Sequence, residues 1–248
     1  MKKSLIILSL LLLSCKKEDT KTIISEDLTS FVNPFIGTDG TGNTYPGAMT
    51  PFGMVQLSPD IGIPGWDRIS GYFYPDSIIT GFSHTHLSGT GAGDLYDVLI
   101  MPTNSRFDKK IKENNEKPFS YFSHKHETAT AGYYAVDLLS YGIKAELTTT
   151  PRVGIQQYTF PEDNNSQITI DLSYSINWDK PTQTYIKVKN NTTIEGFRFS
   201  TGWARNQKIY FVIQLSKPFD NHSLTEETVE GKNNNSKLSL HYKTTDKE

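Results

Sequence analysis

Two histidines one residue apart, His84 and His86, stand close to Asp94 and Asp97 within Gly71–Pro102, GYFYPDSIITGFSHTHLSGTGAGDLYDVLIMP. In an extended chain side chains repeat every two residues, so both imidazoles would share a face. With one carboxylate such as Asp94 they would offer three ligands to a divalent metal. A closed zinc site needs a fourth, and no fourth can be placed, so no metal ligand is assigned. Hydrogen bonding to a polar ligand, or bracing of the glycine-rich loop, is the favoured role of His84 and His86. His124-Lys125-His126 repeats the spacing inside a charged stretch, where a solvated strand or loop is expected.

Five aspartates, Asp39, Asp60, Asp67, Asp94 and Asp97, lie in or beside two glycine-rich runs, Gly37–Gly53 and Gly71–Pro102. Cleavage of a glycosidic bond needs a pair of carboxylates flanking the scissile bond. Spacing alone singles out no such pair, and most loop aspartates cap turns, so no catalytic residue is assigned. Gly65-Trp66-Asp67 is more specific. An exposed indole face stacks on apolar faces such as those of a sugar ring; the competing reading buries Trp66 in a small loop core. Trp178 and Trp203 lie nearer strand patterns and are read as core. Gly89-Thr90-Gly91-Ala92-Gly93 precedes a strand rather than a helix, so a dinucleotide loop is rejected.

The elements that must hold these loops are strands. Met54–Leu57, Val98–Met101, Tyr133–Leu139, Ile143–Thr149, Gly154–Phe160, Gln167–Leu172, Thr193–Ser200, Ile209–Leu215 and Lys237–Tyr242 are short, apolar or alternating, and rich in β-branched and aromatic residues. Turn-forming clusters at 161–165, 189–191 and 231–235 separate them. The expected fold class is all-β, an antiparallel β-sandwich. Arg106–Glu116 is the best helix candidate, and a weak one. Net charge is −2 with no basic stripe, which argues against nucleic-acid binding.

Lys2 and Lys3 followed by the nine apolar residues Leu5–Leu13 read as a signal peptide, too short to span a bilayer. Leu12-Leu13-Ser14-Cys15 is lipobox-like, and Cys15 is the sole cysteine. Lipidation at Cys15 is expected, with an anchored protein at the outer membrane, cell surface or periplasmic face. Residues 1–15 are then the signal peptide with its lipobox cysteine, 16–30 a flexible tether and 31–248 the β-sandwich domain.

Taken together, several stretches closely resemble the N-terminal domain of glycoside hydrolase family 92, bacterial exo-acting α-mannosidases. They are Val32–Thr38 (VNPFIGT), Gly42–Ala48 (GNTYPGA), Pro51–Gln56 (PFGMVQ), Ser70–Tyr72, and above all Gly81–Gly91 (GFSHTHLSGTG) with Gly93-Asp94-Leu95. Gly132–Tyr134, Ala145–Thr148, Tyr158–Pro161, Gly202–Ala204 and Ser216–Phe219 continue the likeness. The resemblance implies a sandwich packed on a helical (α/α)6 catalytic domain, with inverting hydrolysis of α-mannosides or mannose-rich glycans. It implies that Ca2+ and the catalytic carboxylates belong to the helical domain. It also implies that the sandwich supplies pocket loops, with Trp66 as the matching tryptophan; Asp67, His84, His86 and Asp94 complete the expected substrate-binding set.

Because the chain stops at Glu248, the expectation is a domain without the catalytic barrel, inactive alone and binding no Ca2+ itself, with a same-chain or separate helical domain as partner. Leu238–Tyr242 reads as an interior strand rather than the sandwich's last. The last strand is therefore expected to be missing, leaving an exposed strand edge near Leu238–Tyr242. The rival reading is a stand-alone carbohydrate-binding lipoprotein.

Overall fold

The computed structural model describes residues 27–106, 117–229 and 232–245. Cys15, the 1–15 signal and most of the helix candidate at Arg106–Glu116 lie outside the described residues. Strand accounts for 49% of the structure and helix for 5%, so the all-β expectation holds, and every strand pair is antiparallel.

The main sheet has seven strands. In chain order these are β1 (Ala48–Met49), β2 (Gln56–Asp60), β4 (Gly81–Ser83), β5 (Leu99–Thr103), β11 (Asp163–Asp171), β15 (Asn221–Val229) and β16 (Lys232–Thr244). In space the order is β1-β2-β4-β5-β11-β16-β15. The four-stranded sheet is a meander of β7 (Glu127–Thr130), β8 (Tyr133–Leu138), β9 (Ile143–Thr149) and β10 (Gly154–Thr159). A three-stranded meander joins β12 (Lys180–Asn190), β13 (Thr193–Thr201) and β14 (Gln207–Gln214). The short strands β3 (Ile78–Ile79) and β6 (Ser120–Tyr121) pair separately.

Alternating patterns explain the packing. Leu57 and Phe82 of the main sheet bury against Tyr134, Val136, Leu138, Ile143, Ala145 and Leu147 of the four-stranded sheet. Ile100, Ile170, Leu238 and Leu240 bury against Ile186 and Ile194 of the three-stranded sheet. Tyr158 and Ile168 touch both clusters and join them. Two small sheets thus lie against one large sheet, as in a sandwich.

One buried polar group sits inside the first cluster. The Glu127 carboxylate accepts from Tyr72 Oη at 3.0 Å and Tyr134 Oη at 2.6 Å, and pairs with His124 Nδ1 at 2.7 Å. His124 stacks flat on Tyr74 at 3.8 Å. The 124–126 segment is therefore a 3-10 turn with His124 engaged, rather than the solvated strand or loop its charge suggests.

The expected exposed edge near Leu238–Tyr242 is corrected. β16 pairs on both sides, with β11 through Ile170↔Leu238 and with β15 through Leu224↔Leu238. Its interior position is as the sequence suggests, but the sheet ends on β15, whose polar run Asn221–Val229 reads poorly as a strand. β7 and β12 also escape the sequence reading; Lys180–Asn190 alternates, but with lysines on its outer face.

Candidate functional site

Four loops meet at one end of the three-stranded sheet. They are 61–71, carrying Trp66; 87–98, carrying Asp94; 172–179, carrying Trp178; and 201–206, carrying Trp203. The ties between them are specific. Gly65 N–H donates to Asn177 Oδ1 at 3.1 Å. Trp178 N–H donates to the Gly93 carbonyl at 2.9 Å. Ala204 N–H donates to Asp94 Oδ2 at 3.0 Å. Tyr96 Oη donates to the Ile69 carbonyl and accepts from Asn177 Nδ2 at 3.2 Å. Each tryptophan is thus fixed, at or next to its own backbone, by a bond to another loop.

Trp66 is 59% exposed, Trp178 49% and Trp203 71%. They are the chain's three tryptophans, and all sit on this end. The reading of Trp178 and Trp203 as core is corrected. Asn177 adopts a left-handed φ of 54°, which turns Trp178 outward, and Trp203 lies on the β13–β14 connection. For Trp66 the exposed alternative holds. Asp67, the next residue of its 3-10 turn, is exposed.

His84, His86 and Asp94 point inward instead. His84 Nδ1 lies 2.8 Å from the Val98 carbonyl, which can only accept, so Nδ1 carries the proton. Its Nε2 then accepts from Gln156 Nε2 at 3.1 Å. Burial holds the His84 pKa below its usual value, consistent with a neutral ring. His86 Nδ1 donates to the Gln56 carbonyl at 2.8 Å, and its Nε2 faces Ser83 Oγ at 3.0 Å and Asp60 Oδ1 at 3.2 Å. The two rings therefore have separate partners and do not converge on a shared ligand position. Gly71, at φ 89°, backs this network; a Cβ there would lie 2.6 Å from Asp60 Oδ1.

Asp94 is 1% exposed. Oδ2 holds Ala204, while Oδ1 is buried without a hydrogen-bond partner and faces Gly202, where a Cβ would come within 2.2 Å of it. The backbone beneath is strained. Leu95, Tyr96 and Val98 all take positive φ, at 82°, 64° and 57°, a conformation costly for residues with a side chain. It is held by Tyr96 N–H to the Thr85 carbonyl, Asp97 N–H to Thr85 Oγ1, and Thr85 Oγ1 to Asp97 Oδ2 at 2.7 Å.

The residue missed in the sequence is Arg198. It is fully buried on β13, and its donors are divided among the loops. Nε reaches the Leu172 carbonyl at 3.1 Å, Nη2 the Tyr174 carbonyl at 2.9 Å, and Nη1 Asp97 Oδ1 at 2.8 Å; both Nη atoms contact Asp179. Its signal is phase. Within Thr193–Ser200, residues 194, 196, 198 and 200 share the inward face, and an arginine there calls for buried carboxylates. Burial pushes the Asp179 pKa up to about 6 against the pull of Arg198, with Asp97 and Asp94 adding to the rise. Two carboxylates, Asp97 and Asp179, share one guanidinium.

Among the described residues, no group of three or more His, Cys, Asp or Glu side chains is placed to hold a metal ion. The Asp97–Asp179 pair, the densest acid cluster of the site, is already filled by Arg198.

The glycosyl hydrolase family 92 N-terminal domain matches residues 31–248. The chain belongs to that family. Two solved structures of the family 92 α-mannosidase BT3965 of Bacteroides thetaiotaomicron share its fold. The complex with mannoimidazole is 34% identical with a TM-score of 0.81, covering 90% of this chain and 31% of that one. The structure without that ligand is 35% identical with a TM-score of 0.81, covering 90% and 32%. An uncharacterized secreted glycosidase of Arthroderma benhamiae is 31% identical over 141 residues, which is 56% of this chain and 18% of that protein. The family 92 chain described here thus spans about a third of the solved relatives and less than a fifth of the curated one. The family's glycosidase class and its α-mannosidase structures agree with the resemblance carried by the His84 segment.

Proposed function

We propose that this domain is the sugar-facing part of an extracytoplasmic α-mannosidase, and that Trp66, Trp178 and Trp203 present their indole faces to an α-mannoside or mannose-rich glycan. The observation that carries the reading is the gathering of all three tryptophans, each about half exposed or more, on three loops tied to one another and to the Asp94 loop. Aromatic faces stack on the C–H faces of sugars, and loops tied in advance lose less entropy on binding.

The domain recognises and does not cleave. Inverting hydrolysis needs an acid and a base on opposite sides of the bond, roughly 6.5–9.5 Å apart. Asp60, Asp97 and Asp179 are each engaged with a cation, a histidine or backbone N–H groups, and Asp94 is sealed beneath the loop. We assign the carboxylates, and the Ca2+ that would assist them, to a helical catalytic domain as partner, in the same or a separate chain. Asp67, beside Trp66 and exposed, is the acid placed to hydrogen-bond a sugar hydroxyl. His84, His86 and Asp94 shape the pocket from behind. Lipid at Cys15 would hold the protein at the membrane surface. The secreted relative supports an extracytoplasmic site of action.

The test is titration of the full chain with methyl α-mannoside, read by intrinsic tryptophan fluorescence, with methyl α-glucoside as control. A saturable change for the mannoside that is weakened in Trp66→Ala is expected. Absence of any saturable change up to molar sugar would sink the proposal.

A further inference from the structure

We propose that Arg198 is the positioning residue of the tryptophan end. Its single guanidinium fixes the loops bearing Trp178 and Asp94, and through Asp94 the loop bearing Trp203, in one arrangement. The proposal rests on the sugar-facing reading for its purpose, but its geometry stands independently of it.

Arg198 is anchored in the middle of β13, paired with Thr184 on β12 and Ile209 on β14, so its Cα is held by a ladder on each side. From there it reaches the 172–179 loop at both ends. It meets the Leu172 and Tyr174 carbonyls at the start, and Asp179 directly after Trp178. On the other side it holds Asp97 at 2.8 Å, inside the stretch where Leu95, Tyr96 and Val98 are all left-handed. A strained stretch persists only when its surroundings over-determine it. Here the surroundings are Arg198 on Asp97, Thr85 on Tyr96 and Asp97, and Ile69 and Asn177 on the Tyr96 hydroxyl.

Asp94, three residues before Asp97, passes the constraint on to Ala204 beside Trp203 at 3.0 Å. Gly93 passes it to Trp178 N–H. Asn177, inside the clamped loop, passes it to Gly65 beside Trp66. No lysine could do this. Lysine supplies three donors on a flexible stem, and arginine five in a planar fork. The separate contacts here lie in fixed directions around one plane.

Charge compensation alone predicts a different outcome from positioning, and the two can be separated. The full chain, labelled with 5-fluorotryptophan, gives one 19F resonance for each of its three tryptophans. Spectra are taken at pH 8, where Asp179 is ionised. In Arg198→Lys, which keeps the positive charge among the acids, the Trp178 and Trp203 resonances are expected to leave their wild-type positions and move toward that of free fluorotryptophan, while far-UV circular dichroism keeps its β signature. If both resonances stay at their wild-type positions, Arg198 only compensates charge and the proposal is overturned.

Should Arg198→Lys not fold, Asp179→Asn and Asp97→Asn carry the test. The first is expected to move chiefly the Trp178 resonance and the second chiefly that of Trp203. Unmoved resonances in both overturn the proposal equally. Mannoside titration of the wild-type chain is a separate arm. A positioned tryptophan set that binds no sugar removes the functional reading and leaves the role of Arg198 intact.

Discussion

Asp94 and Gly202 are in contact across the site: the buried, unpartnered Oδ1 of Asp94 lies where a side chain at 202 would begin, 2.2 Å from an ideal Cβ. The other oxygen of the same carboxylate grips Ala204. A methyl group at 202 therefore pushes against the group that holds its own loop. Gly202→Ala should destabilise the domain by about 1–3 kcal/mol, as overpacking does, and shift the Trp203 emission. Equal denaturation midpoints for wild type and variant would contradict this.

Trp66→Ala and Trp203→Ala should behave oppositely. Both indoles are largely exposed, so stability should change by no more than about 0.5 kcal/mol. Mannoside affinity should drop by about 2- to 10-fold for each ring lost, the worth of one aromatic contact. Thermal melts and sugar titrations on the same samples check both halves.

Asp179 makes stability depend on pH in a defined direction. Burial holds its pKa up at about 6 in the folded state, from 3.8. The folded state therefore binds the proton more tightly than the unfolded state. Below pH 3.8 this contribution is fully present; it is lost as pH rises toward 6, by at most about 3 kcal/mol. Asp179→Asn abolishes it. The stability of the wild type relative to Asp179→Asn should fall between about pH 4 and 6.5 and stay level above. A difference independent of pH would show that Asp179 titrates normally.

The chain assayed alone should release no mannose from α-mannosides above a buffer blank. None of its described buried acids is both free and paired across an open site. Mannose release that persists at constant specific activity through repeated purification would place the chemistry here after all.

Cys15→Ala should move the protein from the membrane fraction to the soluble fraction, since Leu12–Cys15 is the expected lipidation signal. Equal membrane retention would rule out the anchor at that residue.

The sequence shows some of this plainly and some not at all. The alternation in Ile143–Thr149 marks β9, because Ile143, Ala145 and Leu147 bury one apolar face; Gly154–Phe160 marks β10 within a residue, although its inner face is only half-buried and carries Gln156 beside Tyr158. β15 is hidden because Asn221–Val229 is almost entirely polar and is held as a strand by its pairing with β16. Local propensity carries no record of that partner. Of the two glycine-rich runs, Gly71–Pro102 contains the 87–98 loop of the tryptophan end, whereas Gly37–Gly53 supplies none of its four loops; close approaches such as that of Gly71 to Asp60 leave a compositional trace.

The tryptophans mislead for a related reason. Trp178 and Trp203 adjoin strand patterns, and their outward turn depends on Asn177 and on Asp94, the latter 109 positions before Trp203. Arg198 is readable only from its phase in β13.

The order of strands in the main sheet also governs how the chain can be built. Ile170 lies between Ile100 and Leu238, so the central ladder joins segments about seventy residues apart in either direction. A nascent chain has no partner for the far side of β11 until β16 has emerged. Non-local pairing of this kind is slow, because loop closure must precede any gain from contacts. The two meanders, β7–β10 and β12–β14, are local hairpins and can form early. The tryptophan end draws on residues 65, 94, 97, 177, 198 and 204, so it can assemble only after the β12–β14 meander has docked. Its correct geometry is thus a late folding event, and recovery of the three tryptophan environments should trail recovery of strand content whenever the protein is refolded.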